Sequence, residues 1–264
     1  MLRFCQSRSS RSLSFRRCPC LLRRTPFGPK HEDHTEATGF KLWYQQTEVI
    51  YLCTIPHQFG VDTPGGCEAA VHSVRRYIGA IPQDHVVMKI DFTNAFNGIH
   101  RDEMLSSVLI RIPELYAYCR SSYGQPSFLF FGLYTVSSQE CAQQGDPLGP
   151  LLFSNTIHPM LSSLQAELKL GYLDDITLGG PVEIVAFDVA EIMRIGAEIG
   201  LSLNVSKCEL IAHSDAAISD TLLQSFNRVE IEDNTLLGAP LFPGPALDRA
   251  LAERCQELAK QPTD

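Results

Sequence analysis

The chain has 264 residues, 44% hydrophobic and 20% charged, enough for one sizeable core or two small ones. No apolar run reaches bilayer-spanning length, and the nine cysteines are scattered without the paired spacing of a structural zinc module. The net charge of −8 is uneven: eight of the 22 basic residues and no acid lie in residues 1–30, so 14 basic residues face all 30 acids in the remainder. That balance is poor for gripping a nucleic-acid backbone.

Residues 1–30 are rich in Arg and Ser. Three readings fit: a mitochondrial presequence, a basic arm that touches nucleic acid, or a mispredicted exon, which the lack of clean periodicity favours. His31 and His34 sit in a polar linker. Further on, Ala70, Val71, Val74, Tyr77 and Ile78 recur at helical spacing, with Arg75 and Arg76 on the wetter side, facing template phosphates or plain solvent. Val86–Phe92 reads as a strand that delivers Asp91. Asn97-Gly98 makes a turn. Asp102 suits the N-cap of a helix over Met104–Ile110 that Pro113 bounds. Phe128–Phe131, Tyr134–Val136 and Glu140–Ala142 read as short strands. The Gly/Pro loop Gln143–Pro150 then opens a helix reaching Leu168, which Pro159 should kink.

Gly171–Leu178 carries two adjacent acids between apolar shoulders, the pattern of a hairpin with Asp174 and Asp175 at its tip. Side by side, each raises the other's pKa unless a cation intervenes, and hard carboxylate oxygens suit Mg²⁺. A strand that brings Asp91 alongside completes a three-carboxylate site. Gly179-Gly180-Pro181 reads as a break before a helix to about Ile199, with Gly200 as its C′ stop. Leu201–Asn204 and Cys208–Ile211 are strand-like, with Lys207 between them, and Asp248–Lys260 reads as a final helix.

The ordered set Asp91–Phe96, Gln144-Gly145-Asp146-Pro147 and Tyr172-Leu173-Asp174-Asp175 resembles motifs A, B and C of the reverse transcriptase domain of non-LTR (LINE-type) retrotransposons. The likeness runs from Pro56 to about residue 255. It implies an α+β polymerase palm, an antiparallel sheet backed by helices, with partial fingers and the thumb largely absent. The organisation expected is a leader over 1–45, fingers and palm over 46–242, and the start of a thumb over 243–264. The resemblance also implies RNA-directed DNA polymerase activity with an RNA template, a DNA primer, deoxynucleoside triphosphates and two Mg²⁺ ions, or Mn²⁺ in their place. Asp91, Asp174 and Asp175 would be the metal ligands. Phe92, Phe96, Gln144 and Gly145 would line the nucleotide, with Phe96 under its sugar blocking a 2′-hydroxyl. Lys207 would protonate the pyrophosphate, although a plain surface lysine is the competing reading. Tyr172, Leu237 and Gly238 would contact primer and template. No membrane is implied, and the free thiols fit a reducing compartment, nuclear or cytoplasmic. The alternative is an inactive retroelement remnant that folds as a palm and at most binds nucleic acid or protein.

Overall fold

A computed structural model describes residues 57–143, 145–213 and 220–259. Its centre is a five-stranded sheet ordered β4-β5-β1-β6-β7. The strands are β1 His85–Ile90, β4 Leu168–Tyr172, β5 Asp175–Pro181, β6 Glu209–Ala212 and β7 Asn227–Arg228. All neighbours are antiparallel except β6 and β7. Successive side chains of a strand point to opposite faces. Val86, Met88, Ile90 and Phe92 therefore enter one core, while Val87 enters the other. Both faces are covered at this level, which explains why the segment reads as a continuous apolar run rather than an alternating one.

The larger core lies under α3 (Arg101–Arg111), α5 (Gly149–Ser163) and α6 (Val182–Ile199). On the other face, α1 (Gly66–Ile78) covers Val87, Leu170 and Ile211. The short α2 (Ala95–Gly98) follows Asp91 where a turn is expected. Gly98 is needed there because a Cβ would stand 2.8 Å from the carbonyl oxygen of Gly200.

Helix α3 begins at Arg101, so Asp102 sits inside its first turn, where its charge suits the helix dipole, and does not cap it. Pro113 ends that helix and opens α4 (Pro113–Tyr123) at once, a second helix that the apolar pattern does not announce. Pro159 lies within α5 without ending it. The carbonyl of Asn155, left without its helical donor by the proline, accepts the Ser107 hydroxyl at 3.0 Å. The helix stops five residues short of Leu168. The turn that follows is fixed by the fully buried Asp188, whose carboxylate accepts the N–H groups of Gln165 and Ala166.

Strands β2 (Ser127–Phe131) and β3 (Tyr134–Ser138) form a separate hairpin with Phe128, Phe130, Leu133, Tyr134 and Val136 exposed. Residues 140–142 are not a strand; the carbonyls of Glu140 and Cys141 bond to a side chain instead of a sheet. The expected break at Gly179–Pro181 is also absent, and β5 runs through it. Gly179 serves close packing, since a Cβ would stand 2.6 Å from the Tyr77 ring. A last hairpin, β8 (Thr235–Leu236) and β9 (Ala239–Pro240), precedes α7 (Pro245–Ala259).

Candidate active site

The register of β1 against β5 ends with Ile90 opposite Ile176, so the next step along both chains sets Asp91 opposite Asp175. Alternation puts both on the face shared by Val87 and Lys89 and turns Phe92 the other way. Phe92 is 5% exposed, packs in the larger core and bridges to Leu203. It stands behind the nucleotide position that the resemblance gave it, for that reason of strand parity.

Tyr172 pairs with Asp175, which leaves Leu173 and Asp174 as the two-residue turn. Only Asp174 therefore lies in the turn, and Asp175 already belongs to β5, a one-residue difference from the sequence expectation. Leu173 has φ +58, and positive φ at the first turn position is the pattern of a type II′ hairpin.

Burial raises the pKa of Asp174, and the charge of Asp91 adds to it. Asp175, although solvent reaches it, is pushed up to about 6, first by crowding that strips water, then by Asp174 and Asp91, with Lys89 pulling the other way. The Asp91 oxygen Oδ1 is buried and accepts no hydrogen bond within the protein. A buried carboxylate oxygen without a donor calls for a cation or water. Among the described residues no group of three His, Cys, Asp or Glu side chains closes into a metal cage by itself. The donor chemistry nonetheless fits a hard divalent ion: oxygen ligands, one orphaned, whose mutual repulsion a cation would relieve.

The backing of Asp91 comes from the stretch after α6. The Asp91 carbonyl accepts the N–H of Asn204 at 2.8 Å, and the Asp91 N–H points to the Cys208 sulfur at 3.4 Å. Lys207 is exposed in the turn beside Cys208. The cation that acts on Asp175 is Lys89, whose ammonium bonds to Glu209 and to the Thr235 carbonyl.

Phe96 lies partly buried, stacked on the Phe153 ring with centroids 4.4 Å apart. Gln144 lies outside the described residues. Gly145 has φ +98 in an exposed loop, with open space where a Cβ would point. That loop is held from below. Arg101, 7% exposed, donates to the carbonyls of Ser138, Glu140 and Cys141, and its guanidinium lies over the Tyr123 ring. The Tyr123 hydroxyl donates to Asp146.

Tyr172 is half-buried on the same face as Asp175. Burial, then Cys67 and Glu68 at the start of α1, raise its pKa. Leu237 and Gly238, with φ +50 and +77, form the turn of the β8–β9 hairpin. Arg75 bonds that hairpin to α1 through the carbonyls of Pro240 and Leu241, so this arginine serves the fold and not a template phosphate. Sequence reasoning passed over Gln58, Lys89, Arg101, Tyr123 and Cys208. Each lies outside the motifs, and Arg101 and Lys89 read as ordinary surface charges.

A sheet whose central strand and neighbouring turn bring three carboxylates together at one end of the strands, backed by helices, defines a polymerase palm. The family described as reverse transcriptase (RNA-dependent DNA polymerase) matches residues 42–232, and the chain belongs to it. Reverse transcriptases generally use divalent metal ions. Among solved structures, apo telomerase from Candida tropicalis has a TM-score of 0.50 at 10% identity, over 68% of this chain and 37% of that one. The same telomerase lacking its C-terminal domain gives 0.47 at 13% identity, over 71% of this chain and 45% of that one. The chain thus spans less than half the length of either telomerase chain. No curated protein matches.

Proposed function

We propose that this chain carries an RNA-directed DNA polymerase site, extending a DNA primer along an RNA template, and that it derives from a non-LTR retrotransposon. The reading rests on one observation above the rest: Asp91 and Asp175 oppose each other at the ends of two neighbouring inner strands, Asp174 adjoins them, and a buried oxygen of Asp91 lacks a donor.

Divalent ions, Mg²⁺ by preference with Mn²⁺ as substitute, would supply positive charge for the attacking 3′-oxygen and the leaving pyrophosphate. Asp91, Asp174 and Asp175 would hold them. The Phe96 ring, propped by Phe153, would lie under the sugar and exclude a 2′-hydroxyl. The open backbone at Gly145 would lie against the nucleotide beside Gln144. Tyr172 and the Leu237-Gly238 turn would support the primer. Lys207 would give a proton to the pyrophosphate. Residues 46–242 would form fingers and palm, and 243–264 the start of a thumb.

The test is primer extension on an RNA template with and without Mg²⁺, using the wild type, Asp91→Asn and Asp174→Asn. Metal-dependent extension by the wild type alone supports the reading. A folded wild type that extends nothing yet binds RNA or protein marks the inactive remnant, the reading that the acidic surface balance favours.

A further inference from the structure

β4 is the edge of the central sheet, and its outer side is not left open. Residues 57–60 run along it. The Phe59 N–H donates to the Gly171 carbonyl at 2.7 Å, and the Gly171 N–H donates to the His57 carbonyl at 2.6 Å. This ladder cannot continue through backbone alone, because Leu173 turns into left-handed geometry at φ +58.

A side chain takes over at that point. Gln58 is 2% exposed. Its Oε1 accepts the Leu173 N–H at 2.6 Å, and its Nε2 donates to the Leu173 carbonyl at 3.2 Å. The same Oε1 accepts the Gly60 N–H at 3.3 Å, which fixes the amide from its own chain. One amide thus satisfies both backbone groups of the residue between Tyr172 and Asp174. Space around it is full: a Cβ on Gly60 would stand 2.7 Å from the Leu173 nitrogen, and one on Gly171 would stand 3.1 Å from Gln58 Nε2.

A leucine held at positive φ is strained and persists only where its surroundings over-determine it. The amide and the Gly60 contact are those surroundings. Release of Leu173 would free the following peptide to turn, and with it the carboxylate of Asp174.

We infer that Gln58 is a positioning residue of the active site, fixing the Leu173 peptide so that Asp174 is aimed at the strand ends that carry Asp91 and Asp175. This rests on the polymerase reading for its consequence, though the clamp itself does not. Misplacement of a reacting group by about 1 Å can cost on the order of a hundredfold in rate.

The experiment uses the full chain and two variants. Gln58→Met keeps length and volume and removes both polar ends. Gly60→Ala leaves the Gln58 amide in place and crowds the Leu173 nitrogen directly. Amide exchange is followed across 171–175 and, as a control for global folding, across β1. Primer extension is followed as kcat and as KM for primer–template. The expected result is at least tenfold faster exchange confined to 171–175 in both variants, with kcat down at least tenfold and KM unchanged. Unchanged exchange in Gln58→Met overturns the clamp. Faster exchange with unchanged kcat overturns the positioning role. A wild type that is protected at 171–175 but extends no primer sinks the polymerase reading and the positioning role with it. That failure shows in the wild type, whereas failure of the inference shows only in the difference between variant and wild type.

Discussion

Phe96 sits where the core and the site meet. Its ring stacks on the fully buried Phe153, a contact worth about 0.5–1.5 kcal/mol, and the stack fixes the plane that it would offer to a sugar under the proposed function. Phe96→Val should raise ribonucleotide incorporation roughly tenfold or more relative to deoxynucleotide. Unchanged discrimination in a competitive incorporation assay would make Phe96 a core residue only. The two adjacent aspartates allow a second test. Asp175 is raised to about 6 in the folded protein from 3.8, so between those values the folded state holds a proton that the unfolded chain has lost. Metal-free stability therefore falls as pH rises through that window, and the loss is complete above it. Asp175→Asn should raise the metal-free Tm at pH 7.5 and leave it little changed at pH 4. Mg²⁺ at about ten times its Kd should raise the wild-type Tm by about 3–6 °C at pH 7.5 and by much less at pH 5. An equal metal effect at both pH values, measured by thermal melts, would mean that these carboxylates do not hold the ion.

The loop over residues 139–148 depends on one helix side chain. Arg101 collects the carbonyl of Ser138 at the end of β3 and those of Glu140 and Cys141 beyond it, and Tyr123 ties down Asp146 within the motif itself. Arg101→Met would strip their donor from the buried Cys141 carbonyl and from the more open carbonyls of Ser138 and Glu140, at a cost of about 3 kcal/mol, or about 6–12 °C in Tm. In surviving enzyme it should raise KM for the incoming nucleotide more than it lowers kcat. A melt within 2 °C of wild type, in order-of-magnitude terms, would show that the loop holds itself. This element also marks where the sequence was legible and where it was not. The strand that ends in Asp91, the hairpin, helix α6 with its Gly200 stop and the final helix follow from apolar period and punctuation, which are local signals. The carboxylate constellation was legible because three motifs keep their order. Residues 140–142 misread as a strand because the carbonyls of Glu140 and Cys141 are paired by a guanidinium 39 and 40 residues away in the chain. Gly179 misread as a break because the Tyr77 ring that demands it comes from another helix. Gln58 was legible only as part of the His57–Val61 segment that resembles the lead into the first finger helix, since an amide clamp depends on a partner 115 residues away.

At the scale of the whole chain, the chemistry and the charge pull apart. The carboxylates suit phosphoryl transfer, but a primer–template is held mainly by cations against phosphates, and 14 basic residues stand against 30 acids after residue 30. Some of those cations are already committed to the fold: Arg75 to the β8–β9 hairpin, Arg101 to the 139–148 loop, Lys89 to Glu209. Committed guanidinium and ammonium groups add little to a phosphate-binding face. The eight basic residues of 1–30 are then the largest uncompensated positive charge in the sequence. Each phosphate contact adds about 0.7–0.9 to the slope of log affinity against log salt. The full chain should therefore bind primer–template weakly and with a steep salt dependence. Changing Arg3, Arg8, Arg11, Arg16, Arg17, Arg23, Arg24 and Lys30 to glutamine should remove most of both the affinity and the slope. The measurement is a binding titration at several salt concentrations for the two proteins. Tight binding of little salt dependence by the glutamine version would mean that the palm face itself holds the duplex, through contacts that the charge balance does not suggest.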